Sequence, residues 1–239
     1  MTREKQYLAI MSHLQAVDFM SAMLLIYGPS VFELQQAVVT YDKSVTWLVS
    51  GHPTTIDHAT VHRSALMSGA IAMRALVNML GLKAKPSKSS LPSRLEATKI
   101  DQAFPGNNLQ WQHIQRARGL TMAMLGSDAA KGFRVRRERD LSLGLDDVLR
   151  IALRAADTSV AHLVHEGAEA ETLHGDLVLA SAFTCIAVQE LVLSPSWGNA
   201  VADMVFQNTR TLLPEPLAKR HRALVDTLRS DLSEVFQQV

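Results

Sequence analysis

Leu177-Val178-Leu179-Ala180-Ser181-Ala182-Phe183-Thr184-Cys185-Ile186-Ala187-Val188 is a run of twelve residues without a charge. A membrane span needs about twenty apolar residues, so the run is too short for one. It predicts a helix buried at the centre of a folded domain. The periodic pattern around it extends that helix from about Glu171 to Leu193. Outward from there, apolar residues recur at helical rather than alternating spacing, with glycine and proline falling between the periodic segments. The fold class expected is all-α, a bundle of about eight helices with two basic loop insertions.

The other helices follow from the same punctuation. The first is expected from about Thr2 to Tyr27, stopping at Gly28-Pro29, and the second from about Val31 to Val49, stopping at Gly51-His52-Pro53. A third covers Thr55 to Leu80 and a fourth Leu109 to about Leu125. Asp146-Asp147 supply first-turn acids for a helix reaching Glu166. Gly198 to Leu213 and a final helix opened by Pro214-Glu215-Pro216 complete the set. Residues 81–108 and 126–144 are left as non-helical insertions. The whole reads as one domain, 1–239, with sub-layers 1–80 and 109–239 joined by the loop 81–108.

The two ends of the chain differ in patterning. In the last helix Leu217, Leu224, Leu228, Leu232 and Val235 form one stripe, so it packs a single face. In the first, Tyr7, Leu8, Ile10, Met11, Leu14, Val17, Phe19, Met20, Met23, Leu24 and Leu25 surround the axis. That helix is enclosed on several sides, by its own chain or by a second copy, and a homodimer is the expectation drawn from it.

Composition excludes several classes. Of 239 residues, 47% are hydrophobic and 20% charged, with 12 Gly and 8 Pro, which fits neither disorder nor collagen. One cysteine, Cys185, allows no intrachain disulfide and no thiolate-pair zinc site. Lying within the apolar run, it reads as structural. The opening Met1-Thr2-Arg3-Glu4-Lys5 leads into a run interrupted by His13, Gln15 and Asp18, which lacks the apolar core of a secretory signal. A cytoplasmic protein without membrane contact is expected.

The formal net charge of +1 conceals a division along the chain. Residues 1–80 balance at 0, residues 81–139 at +8 and residues 140–239 at −7, the last with fourteen Asp and Glu. The middle block holds Lys83, Lys85, Lys88, Arg94 and Lys99, then Arg116 and Arg118, then Lys131, Arg134, Arg136, Arg137 and Arg139. Clustered guanidinium groups neutralise phosphates and release counterions, which makes nucleic acid one candidate partner. Only Phe104, Trp111 and Phe133 stand in the block as stacking aromatics, and an acidic protein surface, a partner's or the chain's own second half, answers the same charge.

Histidines are the other candidates for chemistry. His58 and His62 have the i, i+4 spacing that aims two imidazoles at one metal. They share an arc with Leu66, Met73, Leu76 and Leu80, opposite Arg63, Arg74 and Asn78, so both face inward. Glu171-Thr-Leu-His174 has the Glu-x-x-His spacing of di-iron helical bundles, though it occurs once where those use it twice. His58, His62, Glu171 and His174 together would make a transition-metal shell if their helices met. His162 and His165 share a polar arc with Arg150, Arg154 and Asp157 and read as solvent-facing.

No glycine-rich phosphate loop, nucleophile elbow or paired-histidine protease helix is present. In general build a basic helical bundle of this size resembles the HEPN ribonucleases, whose catalytic arginine and histidine stand a few residues apart. The pair in that order whose spacing comes nearest, Arg154 and His162, has seven residues between them, and membership is not claimed. The expected role is a non-catalytic interaction or regulatory protein, homo-oligomeric, presenting a basic surface to an acidic partner. The alternatives are a metal-dependent helical-bundle enzyme and a helical nuclease with a non-standard site.

Overall fold

The computed structural model describes residues 3–27, 46–49, 52–55, 58–84, 95–97, 112–132, 135–136, 142–145, 147–150, 167–198 and 204–237. Most of these are helical and the fold is all-α. The helices are α1 (Arg3–Tyr27), α2 (His58–Met79), α3 (Gln112–Gly126), α4 (Asp128–Gly132), α5 (Gly167–Val188), α6 (Ser194–Trp197), α7 (Gln207–Leu212) and α8 (Glu215–Gln237). A π-helical turn, Gln189–Leu193, joins α5 to α6. The widened turn comes just before Pro195, whose ring would clash with the carbonyl four residues back in a regular α-helix.

Every residue of the quoted run is buried, from Leu177 at 2% exposed to Val188 at 0%, as its composition predicts. Around α5 the core gathers Leu14, Val17, Met20 and Leu24 of α1, Leu66, Met73, Leu76 and Leu80 in or just after α2, and Leu228, Leu232 and Val235 of α8. Two segments, Glu4–Ile26 and Gly175–Trp197, are long and apolar enough to cross a membrane by length and composition alone. Within the fold, 89% of the most apolar window of the second is buried against protein, and 56% of that of the first.

Close contacts fix the helix directions. A Cβ added to Gly69 of α2 would stand 2.3 Å from the Met20 Cβ, so α1 and α2 nearly touch there. Ala22 and Met23, further along α1, cluster with Ala65 and Val61, further back along α2, so the two run antiparallel. On the other side, Asp18 of α1 acts electrostatically on Cys185 of α5. Tyr7, earlier on α1, packs on Trp197, at the end of α6. Thus α1 is antiparallel to α5 as well, and α2 and α5 are parallel.

Helix ends follow local chemistry. α2 ends at Gly81, whose φ of +90° suits a residue without Cβ and whose N–H donates to the Asn78 carbonyl at 2.9 Å. Arg118 of α3 covers that end, donating from Nε to the Met79 carbonyl (3.2 Å) and from Nη2 to the Asn78 carbonyl (3.4 Å). At Gly144 the Asp147 carboxylate accepts the Gly144 N–H at 3.1 Å and starts the helical segment 147–150, as a first-turn acid should.

Three expectations need correction. The helix placed over residues 31–49 ends instead as a strand, β1 (Thr46–Val49), antiparallel to β2 (His52–Thr55) with Val49 opposite His52. Two residues, Ser50 and Gly51, separate the strands in the sequence, and Thr46, Val49, Thr54 and Thr55 are β-branched, so the local preference favours a hairpin. Residues 28–45 lie outside the described residues, as do 151–166. Of the helix expected over 198–213, residues 199–203 lie outside the described residues, and among the described ones it is a regular α-helix only over α7. Phe206, at φ 69° and ψ 20°, takes a left-handed conformation that a helix interior cannot contain. The insertion 126–144, expected to be non-helical, holds α4 and a ribbon of β5 (Val135–Arg136) and β6 (Ser142–Leu143). A ribbon of β3 (Leu82–Ala84) and β4 (Leu95–Ala97) lies in the other insertion. Sheet among the described residues is confined to these three two-stranded ribbons.

Candidate functional site

Because α2 and α5 are parallel, their starts lie at one end of the bundle. The Ser181 hydroxyl, which donates to the Leu177 carbonyl at 2.7 Å, lies 3.9 Å from the Met73 sulfur, and this contact fixes the register between the two helices. Counting back equally on both helices brings His62 level with Ala170, beside Glu171 and one turn from His174. His62 is fully buried. The side chains of His58, Glu171 and His174 lie outside the description, so the helices are placed while the ligand geometry is not. Among the described residues no three His, Cys, Asp or Glu side chains stand together as a metal shell.

The basic block divides. Lys131 sits exposed on α4, its ammonium 2.9 Å from the Asp128 carboxylate. Arg136 lies on β5 opposite Ser142. Arg134, Arg137 and Arg139 are outside the described residues. This ribbon follows α4, which packs on α8. Arg118 does not belong to the basic surface: it is 7% exposed and spent on the end of α2.

A third cluster, where α1, α7 and α8 meet, went unread in the sequence. Asp18, 2% exposed, accepts the Asn208 N–H at 2.6 Å and the Thr209 N–H at 3.3 Å through Oδ2. It caps α7 from a different helix, and the Asn208 amide donates in turn to the Gln15 carbonyl at 3.1 Å. Burial pushes the Asp18 carboxyl up to about 6, against the N–H bonds of Asn208 and Thr209 and the charge of Arg210. His221 of α8 is 4% exposed, and burial, with Arg210, lowers its imidazole to about 4, so it is neutral at pH 7. Its ring meets Phe206 edge-on at 5.4 Å. The Arg229 guanidinium stands 6.0 Å over the same Phe206 ring and donates to the Gln189 side-chain carbonyl at 2.9 Å. Burial drives the Cys185 thiol well up, and the Asp18 charge adds to this, which leaves it unreactive.

A carboxyl and a neutral imidazole are acid–base groups, yet both are closed to solvent here. The arrangement latches α7 and α8 to α1 rather than receiving a substrate. Only a weak signal pointed to it: His221 stands four residues after Leu217 and four before Val225, in line with the apolar stripe of α8. Comparison with known proteins adds no relative: no family model, curated protein or solved structure matches the chain.

Proposed function

We propose that the chain is a non-catalytic interaction or regulatory protein, a cytoplasmic homo-oligomer whose bundle of about eight helices carries two basic insertions and presents one of them to an acidic partner. The observation that carries this is the basic ribbon. A backbone pairing at Val135–Leu143 and Arg136–Ser142 holds the ends of a segment containing Arg137 and Arg139, with Arg134 and Lys131 just before it. The pairing orders Arg136 itself, and so lowers the ordering cost of presenting it to an opposed surface. The homo-oligomeric part is supported by α2, where Met67 and Ile71, one turn apart, are 55% and 63% exposed.

The test is a salt titration. The wild type should bind a mixed-sequence oligonucleotide or an acidic polypeptide with an affinity that falls as salt rises. Changing Arg134, Arg136, Arg137 and Arg139 together to Ala should flatten that dependence while leaving the melting temperature in place. Binding to neither probe at about 50 mM salt, a concentration at which phosphate contacts are strong, would contradict the reading. Light scattering tests the assembly: a monomer at micromolar concentration would remove the oligomeric part.

A second reading, a metal-dependent helical-bundle enzyme, is supported by the parallel course of α2 and α5, which gathers His58, His62, Glu171 and His174 at one end. Under it, transition metal copurifies with protein prepared without an affinity tag, and His62→Ala releases it and lowers the melting temperature through lost ligand stabilisation. Metal-free wild type whose melting temperature does not respond to zinc, manganese or iron would end that reading.

A further inference from the structure

At the end of the bundle where α1 begins and α6 ends, Glu4, Tyr7, Ser196 and Trp197 line an open cleft of about 500 Å³. The Tyr7 and Trp197 rings have centroids 5.6 Å apart and planes inclined at 49°, so they form a bent wall rather than a stack. Tyr7 is held by its hydroxyl, which donates to the Met204 sulfur at 3.7 Å. Both rings are half-buried, and Glu4 is exposed at the rim.

Two features favour one kind of ligand. Aromatic faces carry negative charge density and attract cations, most strongly those with a loose hydration shell. Among the described residues, the Glu4 carboxylate is the only charged side chain in this lining. Trp197 is also the last residue of a helical run that begins at Gly167 and passes through the π turn. Gly198, at φ +85°, ends the helical run directly after Trp197, and its N–H satisfies the Ser194 carbonyl at 3.0 Å.

We propose that this cleft binds a quaternary alkylammonium group, seated against the Tyr7 and Trp197 rings with Glu4 as its counter-charge. The cleft is wide enough for a trimethylammonium head, which needs no hydrogen-bond acceptors. A compact ammonium would lose more hydration than the rings return. The group could arrive on a free small molecule or on a trimethylated lysine, and the experiment separates the two.

Ligand-observed NMR on the full chain would compare choline, a short peptide carrying trimethyl-lysine, and the neutral carbon isostere of choline. Saturable binding of the charged ligands and none of the isostere is expected. A peptide bound much more tightly than choline would identify the lysine source, and equal affinities the free ammonium. Trp197→Leu should weaken binding about tenfold, as loss of a cation–π face does, whereas Tyr7→Phe, which keeps the ring, should retain most of it. Glu4→Gln, at an exposed position that leaves folding intact, should weaken binding several-fold, and it carries the test if the tryptophan variant does not fold. Equal binding of the isostere, an unchanged affinity in Glu4→Gln, or no binding of either charged ligand by the wild type would overturn the proposal.

Discussion

Two buried regions of this molecule are held together in opposite ways. Around α5 the enclosure is mostly apolar, with Phe183, Cys185, Ile186, Ala187 and Val188 all at 0% exposure. At the junction of α1, α7 and α8, Asp18, Thr209 and His221 are almost as deeply enclosed, but they are polar. Apolar burial is non-directional and indifferent to pH. The junction depends on directed bonds, and Asp18 Oδ1, Ser21 Oγ, Thr184 Oγ1 and His221 Nε2 are buried there or nearby on α1 and α5 without a hydrogen-bond partner among the described residues. The first region therefore sets how much stability the bundle has, and the second sets how that stability responds to conditions.

The largest break should come at the apolar centre. Phe183→Ala is expected to cost about 3–5 kcal/mol, the transfer of a ring plus the cavity it leaves, in a denaturant titration at pH 7. A cost under about 1 kcal/mol, the size of a surface substitution's effect, would mean that α5 is not the centre of the core.

A smaller effect distinguishes bond from charge at the junction. Asp18→Asn keeps an oxygen for the Asn208 and Thr209 N–H groups and removes the buried ionisation, whereas Asp18→Ala removes both. At pH 7.5 the Asn variant should match or exceed wild type, and the Ala variant should fall below the Asn variant by about 1–2 kcal/mol, the value of a helix cap. Equal stability of the two variants would show that the cap contributes nothing. The smallest change belongs to the surface: Lys131→Ala, breaking the exposed contact with Asp128, should leave the melting temperature unchanged.

The contrast also marks what the sequence could disclose. An uncharged run is driven out of water, so the burial of α5 was legible, and so was the stripe of Leu228, Leu232 and Val235 on α8, all buried. Asp18 was not: it lies on a helix apolar round its circumference, where a wheel has no polar face against which to judge one acid. Arg118 reads as surface charge until the end of α2 is placed beneath it. The truncation of the helix before α7 rests on Phe206 taking a left-handed backbone, a role usually signalled by glycine. At the candidate sites the sequence supplied residue types and spacings. The shared end of α2 and α5 required helix directions, and the Tyr7–Trp197 cleft required two rings 190 positions apart in the chain to meet.

The most direct test of the polar junction is the stability difference between Asp18→Asn and wild type as a function of pH. A carboxyl raised from 3.8 to about 6 contributes stability that is full below its unfolded value and is lost as pH rises through its folded value. His221, lowered from 6.5 to about 4, acts the other way, favouring the fold above 6.5 and losing that contribution as pH falls. It is present in both proteins and cancels in the difference. The advantage of Asp18→Asn over wild type should therefore grow between pH 4 and about 6.5 by about 3 kcal/mol, and then level off. A difference that stays flat across this range would contradict the account, because it would mean that the Asp18 carboxyl is solvated and that polar burial does not hold α7 and α8 to α1.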